Sequence, residues 1–221
     1  MLPFYTLPCT TKFGCSRLLY NIIDQEGESM CKTDPIRNTE DIKRFKQYFL
    51  DKKNYRNYAL VTVAMNTSLR IGDLLRLTWG DVYNFKTAHY REHIVVIEQK
   101  TGKRNRIALN KEAIQALQTL RETLETVSPE DFIYKSRVGH NHPIDRTYAF
   151  RIIKEAVSDL NLEGSISCHS LRKTFGYHAW KKGIPPALIM SIYNHSSIEI
   201  TKRYLSIDQD DKDEVFLNMN L

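Results

Sequence analysis

The chain has 221 residues, 42% of them hydrophobic and 26% charged, with a formal net charge of +6 and a pI of about 9.0. That is enough chain for one sizeable core, and the balance excludes a disordered polymer. No run of about 18 apolar residues exists, which excludes a membrane-spanning helix, and the positive charge puts a polyanion, nucleic acid first, at the head of the expected partners.

Met1 to Tyr20 lacks a charged segment followed by an apolar one, so no secretory leader is read there and a cytoplasmic protein is expected. Residues 1–37 show weak periodicity and are too few for an ordinary independent domain. They read as an extension, loosely ordered or packed on the core. Cys9, Cys15, Cys31 and Cys168 show no paired CxxC spacing, and no histidine precedes His89. Reduced thiols without a metal are expected, and the His89/His93 and His140/His142 pairs lack companion ligands.

Asn38-Thr39-Glu40-Asp41 reads as a helix start, with Ile42, Phe45, Tyr48 and Phe49 at helical spacing behind it. A second helix carries Tyr58, Val61, Ala64 and Met65, and Ser68 to Leu75 leads into a third that Thr78 to Asp81 breaks. His93 to Gln99 and Arg106 to Leu109 are extended runs on either side of Thr101-Gly102, a hairpin with a basic tip. Asn110 caps a long helix bearing Ile114, Leu117, Leu120 and Leu124, and residues 131–143 read as loop and short strand. Asp145 opens a helix that runs to about Asp159, and a connector from Asn161 to Ser167 contains Gly164.

Beyond Ser167 helices dominate. Gly183 ends one and Pro185-Pro186 starts the next. Ser196-Ser197-Ile198-Glu199 reads as a capping box that begins a helix just after His195, with Tyr204 about two turns along. The tail from Asp208 to Leu221 is acidic, then apolar at Val215, Phe216, Leu217, Met219 and Leu221. The expected fold is mainly α with a small antiparallel β-hairpin or sheet, an α+β arrangement.

The chemistry-bearing residues cluster late in the chain. His169 and Arg172 are three apart, a spacing that puts both on one helix face within reach of the same oxygens. Arginine suits forked contact with phosphate. Arg70 stands beside an apolar helix face, with Asp73 three residues on to hold its guanidinium. Lys100, Lys103, Arg104 and Arg106 line the hairpin and, with Lys173, are candidates for phosphate contact. Lys100 could also give a proton to a leaving oxygen. Tyr204 is one of 12 tyrosines, and a phenol near its ordinary pKa of about 10 attacks poorly unless cations lower that value.

With these residues in order, the chain resembles the tyrosine recombinase family, also called phage integrases. The matching positions are Thr67-Ser68-Leu69-Arg70-Ile71-Gly72-Asp73-Leu74, Lys100 in the hairpin, His169-Ser170-Leu171-Arg172, His195 and Tyr204. The match spans residues 38 to about 207, which reads as the DNA breaking and rejoining domain, leaving 208–221 as a tail that docks on a neighbouring subunit or on its own core.

The resemblance implies a catalytic set of Arg70, Lys100, His169, Arg172, His195 and the nucleophile Tyr204. It implies double-stranded DNA as substrate, cut through a 3′-phosphotyrosyl link without cofactor or metal. It further implies a homo-oligomer on DNA, a synaptic tetramer, with room for an accessory DNA-binding protein. Ser68 and Asn194 stand where the family often has Gly, and a loop one residue longer leaves Lys103 competing for the lysine role. Residues 1–37 are too short for the family's separate core-binding domain, whose contacts would then be absent, truncated or supplied in trans. A type IB topoisomerase-like nicking-closing enzyme shares the chemistry, and a non-catalytic DNA-binding regulator is the rival from another class.

Overall fold

The structure, a computed structural model, describes residues 33–100 and 102–219. Residues 1–32, with Cys9, Cys15 and Cys31, lie outside them, as does Thr101. Helix α1 (Thr39–Asp51) starts where the sequence places it: the Asn38 side chain accepts from the Glu40 N–H at 2.8 Å, and Phe45 and Phe49 face inward. Helix α2 (Tyr55–Thr67) buries all but a few of its residues, from Ala59 to Met65 without a break. A helix apolar all round belongs at the centre of a fold, and α2 packs against α1, α5 and α7.

Helix α2 ends on Ser68, which takes a left-handed conformation at φ 54° and turns the chain sharply into Arg70 and helix α3 (Ile71–Leu75). Thr78 to Asp81 does more than break this helix. Asp81 accepts from the Thr78 N–H and hydroxyl at 2.8 and 3.0 Å, a capping box that starts the short helix α4 (Trp79–Val82). Strands β1 (Tyr83–Asn84) and β2 (His89–Tyr90) form a hairpin that the sequence pattern does not reveal, because two residues cannot display an alternation.

The second hairpin pairs β3 (His93–Ile97) with β4 (Arg104–Ala108), His93 opposite Ala108 and Ile97 opposite Arg104. Its second strand begins two residues earlier than the β-branched run suggests. Gly102, at φ 66°, turns the chain tightly enough for Glu98 N–H to reach the Lys103 carbonyl at 3.0 Å. Helix α5 (Lys111–Arg121) is capped by Asn110, ends before Leu124, and leaves that leucine exposed.

Asp145 caps helix α6 (Arg146–Asp159), accepting from Tyr148 N–H at 2.6 Å. Helices α7 (Cys168–Lys181), α8 (Pro186–Tyr193), α9 (Ile198–Leu205) and α10 (Ile207–Asn218) follow. Residues 33–37 run along α7: Ile36 N–H donates to Thr174 at 2.9 Å, and Lys173 Nζ donates to the Thr33 carbonyl at 2.6 Å.

Two apolar clusters result. The larger joins α1 to α7, with Trp79, Tyr134 and Leu171 among its fully buried side chains. The smaller gathers Tyr177, Ile189, Tyr193, Leu205 and Ile207, with Tyr204 packed against it. Gly176 of α7 is where these helices approach most closely: a Cβ there would stand 2.6 Å from the Leu205 side chain and 2.6 Å from the Tyr193 hydroxyl. Helix propensity favours alanine over glycine by about 1 kcal/mol, but overpacking costs about 1–3 kcal/mol. Gly176→Ala is therefore expected to destabilise the protein by about 1 kcal/mol despite its better propensity, and urea denaturation would register it as a lowered midpoint; a raised midpoint would show that α7 and α9 yield freely.

Candidate active site

Arg172 sits one turn into α7 and is 5% exposed. Its Nη1 donates to the carbonyl of Ser68 at 2.6 Å, and its guanidinium lies 4.8 Å from the centroid of the Tyr193 ring. The αL turn at Ser68 thus aims a carbonyl at the end of α2 onto a cation, a favourable arrangement for a helix C-terminus. Tyr193 closes the circuit by donating its hydroxyl to the Arg172 carbonyl at 2.6 Å. Burial, and the nearby charge of Arg70, hold Arg172 below its ordinary pKa, opposed by Tyr204. An arginine remains charged under such pressure, so this cation is held ready for an anion.

Arg70 is the N-cap residue of α3 with extended backbone, φ −67° and ψ 144°. Its Nη1 donates to Glu98 Oε2 at 2.6 Å. This corrects the expectation for Asp73, whose Oδ1 instead accepts from the Gln99 N–H at 3.0 Å. The i,i+3 rule requires both residues to be helical, and Arg70 is not. Glu98 is 1% exposed and escaped the sequence reading. The signal was present: Ile94, Val96 and Glu98 alternate with the exposed Val95 and Ile97, so strand period puts a carboxylate on the inward face, where it needs a partner.

His195 follows Asn194, which ends α8 in the left-handed region at φ 57°. The helix after it is capped by Ser197, one residue later than the expected Ser196; Ser197 accepts from the Ile200 N–H at 3.1 Å. His195 Nδ1 lies 3.1 Å from the Thr201 hydroxyl, which itself donates to the Ser197 carbonyl at 3.1 Å. With that hydroxyl proton committed, Nδ1 carries hydrogen and Nε2 is the atom left for a ligand. Thr201 was also missed, since a buried threonine carries no sequence signature.

Tyr204 stands in the last turn of α9, half-buried, its ring 5.1 Å from the His195 ring and 5.3 Å from the Tyr193 ring. Burial raises its pKa, and the charges of Arg172 and Arg70, with a hydrogen bond from Arg172, pull against that rise without overcoming it. The expected lowering of the phenol by cations is therefore present but outweighed, and the phenol is protonated at neutral pH.

The remaining candidates divide. His169, in the first turn of α7, is exposed, one turn before the buried Arg172. Lys100 and Lys103 are exposed on the β3–β4 loop, and Arg104 and Arg106 are exposed along β4, Arg106 with its Nη2 3.2 Å from His93 Nδ1. Lys173 is turned the other way: it is 8% exposed and its Nζ lies 5.1 Å from the centre of the Tyr204 ring, so it is no surface phosphate contact. Cys168 is a free thiol whose pKa burial pushes up to about 11, which leaves it inert beside His169. Among the described residues no group of three or more His, Cys, Asp or Glu is placed to hold a metal ion, and no helix is long and apolar enough to cross a membrane.

The model of the phage integrase family matches residues 37–210. The probable integrase/recombinase YoeC of Bacillus subtilis (strain 168) is 39% identical over 177 residues, which is 80% of this chain and 91% of that protein. Three other curated relatives are longer, and the chain spans between 52% and 56% of their length. The solved XerA recombinase is similar in fold, with a TM-score of 0.66 at 20% identity over 88% of this chain and 67% of that one. So is the XerH site-specific recombinase bound to a palindromic difH substrate in a post-cleavage complex, with a TM-score of 0.63 at 17% identity over 84% of this chain and 53% of that one.

The half-buried imidazole of His195 carries a consequence for stability. Burial first, then Arg172 and Arg70, holds His195 below the ordinary histidine value. As pH falls, the unfolded chain takes up this proton before the folded one, so the penalty is absent above the unfolded pKa of about 6.5 and grows as pH drops through the window beneath it. Thermal melts at about pH 7.5 and pH 5.0 should show the wild-type protein losing more than His195→Gln; an equal loss in both would mean that the ring is not held neutral.

Proposed function

The chain belongs to the phage integrase family, tyrosine recombinases that carry out site-specific recombination, and on that premise we propose that it cleaves and rejoins double-stranded DNA through Tyr204. The observation that carries this reading is the meeting of the Tyr204 phenol with the Arg172 guanidinium and the His195 ring within one chain. A phosphate between Arg70 and Arg172 would find two cations whose geometry is already fixed by Ser68 and Glu98. Such preorganised donors act on the charge that develops on the non-bridging oxygens as the phosphorus becomes five-coordinate.

The steps follow from the groups. The phenol oxygen attacks phosphorus and its proton passes to a base, for which the exposed His169 is suited. The bond from phosphorus to the 5′ oxygen breaks, and Lys100 protonates that oxygen from the hairpin. A 3′-phosphotyrosyl link remains, and the 5′-hydroxyl of a partner duplex reverses the sequence. One phosphodiester bond is exchanged for another, so the reaction draws on no nucleotide cofactor. The approaching anion raises the pKa of His195, and Nε2, once it has taken a proton from solvent, donates to a non-bridging oxygen.

Assembly of a homo-oligomer on DNA, a synaptic tetramer acting in the cytoplasm at the nucleoid, is the setting this reading supports. The end of α10 adds to it: Phe216 and Leu217, with Met219 just beyond the helix, are 79%, 78% and 62% exposed, so these apolar side chains are not packed on their own domain. Exposed apolar side chains grouped in this way call for a partner surface, and a neighbouring subunit is the partner proposed.

Two experiments test the reading. With a nicked suicide duplex, the protein should form a covalent DNA adduct that survives denaturant and is absent in Tyr204→Phe. Replacing either Arg70 or Arg172 by alanine should slow its formation by about 100- to 1,000-fold, the usual loss for one oxyanion donor; an adduct that persists in Tyr204→Phe would assign the nucleophile elsewhere. Separately, a chain ending at residue 207 should still form the adduct on a single site yet fail to join two duplexes in a native gel. Normal synapsis by that truncated chain would remove the docking role of the tail.

A further inference from the structure

We propose that Glu98 is a positioning residue: it holds the Arg70 guanidinium in the orientation that receives the scissile phosphate, and ties the hairpin bearing Lys100 to the same point. This rests on the reading of Arg70 as a phosphate-binding cation and extends it to a residue that the motif comparison leaves out. Glu98 is an acid on the inward face of a strand end, 1% exposed, and its Oε2 accepts from Arg70 Nη1 at 2.6 Å. A buried carboxylate survives only where it is paired and hydrogen-bonded, and the cation paired with it is one of the two that face Tyr204.

The exposure of the two partners decides between orientation and competition. The Arg70 side chain is 24% exposed and the Glu98 side chain 1%. The carboxylate therefore lies behind the guanidinium, on the protein side, and the open side of the cation faces outward. A guanidinium has five N–H donors in a planar fork. One is engaged by Glu98, and a phosphate arriving from solvent meets others without displacing the carboxylate. Glu98 also supplies negative charge beside two guanidiniums that repel each other; the charge of Arg70 already weighs on Arg172.

Glu98 reaches other elements as well. Its Oε1 lies 3.5 Å from the side-chain amides of Asn105 on β4 and of Asn194, the residue before His195. Its backbone closes the loop: Gly102 N–H donates to the Glu98 carbonyl at 2.8 Å, and Glu98 N–H donates to Lys103 at 3.0 Å. The next residue, Gln99, gives its N–H to Asp73 on α3. One buried acid thus joins the arginine turn, the lysine loop and the turn that presents the histidine.

The test is single-turnover cleavage of the suicide duplex by Glu98→Gln, which keeps the shape and removes the charge. The rate of adduct formation should fall by about 10- to 100-fold, the scale of a misplaced catalytic group, while DNA affinity shifts by less than about threefold. In an Arg70→Lys background the same change should cost less than about twofold, because its route through Arg70 is already lost. An unchanged or faster rate in Glu98→Gln, or an equal loss in both backgrounds, would overturn the proposal.

A second measurement does not depend on cleavage. In protein carrying ¹⁵N-arginine, the Arg70 Nη resonances should be resolved and slow to rotate in the wild type and in Tyr204→Phe, and averaged in Glu98→Gln. Averaged Arg70 signals in the wild-type protein would overturn the positioning role. Resolved signals in a protein that forms no adduct would instead count against the strand-cleavage reading alone.

Discussion

Two guanidiniums held side by side at the edge of an apolar core repel each other, and each loses hydration; the rest of this site is arranged around that constraint. Arg172 is compensated by the Ser68 carbonyl and the face of Tyr193, and Arg70 by the buried carboxylate of Glu98. Those partners come from three places: the end of the central helix, the end of α8 and the hairpin. Removing one would leave a charge in a poorly solvated place, which costs more than an ordinary surface contact. The fold brings distant segments together because the two cations require partners that no single segment provides.

The same charges set the state of the groups they surround. They add to burial, the larger cause, in holding His195 low, and they oppose, without cancelling, the rise that burial imposes on Tyr204. The phenol is thus stored protonated, its ring packed among His195, Tyr193 and the Lys173 cation. On the proposed mechanism, this keeps the Tyr204 oxygen in its unreactive, protonated form until a base takes the proton.

Much of this was legible in the sequence, and what escaped did so for physical reasons. Helix starts at Asn38, Asn110 and Asp145 were readable because a short polar side chain before an apolar period has one common use. The order from Arg70 to Tyr204 could be proposed from the sequence because these side chains are chemically distinctive. Glu98 and Thr201 were not read, since an acid or a hydroxyl owes its importance to what lies opposite it in space. Asp73 was misassigned because a helical spacing rule was applied to a residue that caps the helix. The β1–β2 hairpin is too short to carry any period.

Helices α2, α8 and α9 each end on a non-glycine residue in the left-handed region: Ser68, Asn194 and Ser206, at φ 54°, 57° and 59°. A side chain held there costs roughly 1–2 kcal/mol, least for asparagine. Two of these turns lead directly into Arg70 and His195, so the site sits on joints that are wound rather than relaxed. For a protein engineer this is an accessible reserve. Glycine at Ser68 or Ser206 would unload a joint without altering any candidate site side chain, offering thermal tolerance from positions that an inspection of those side chains alone would pass over.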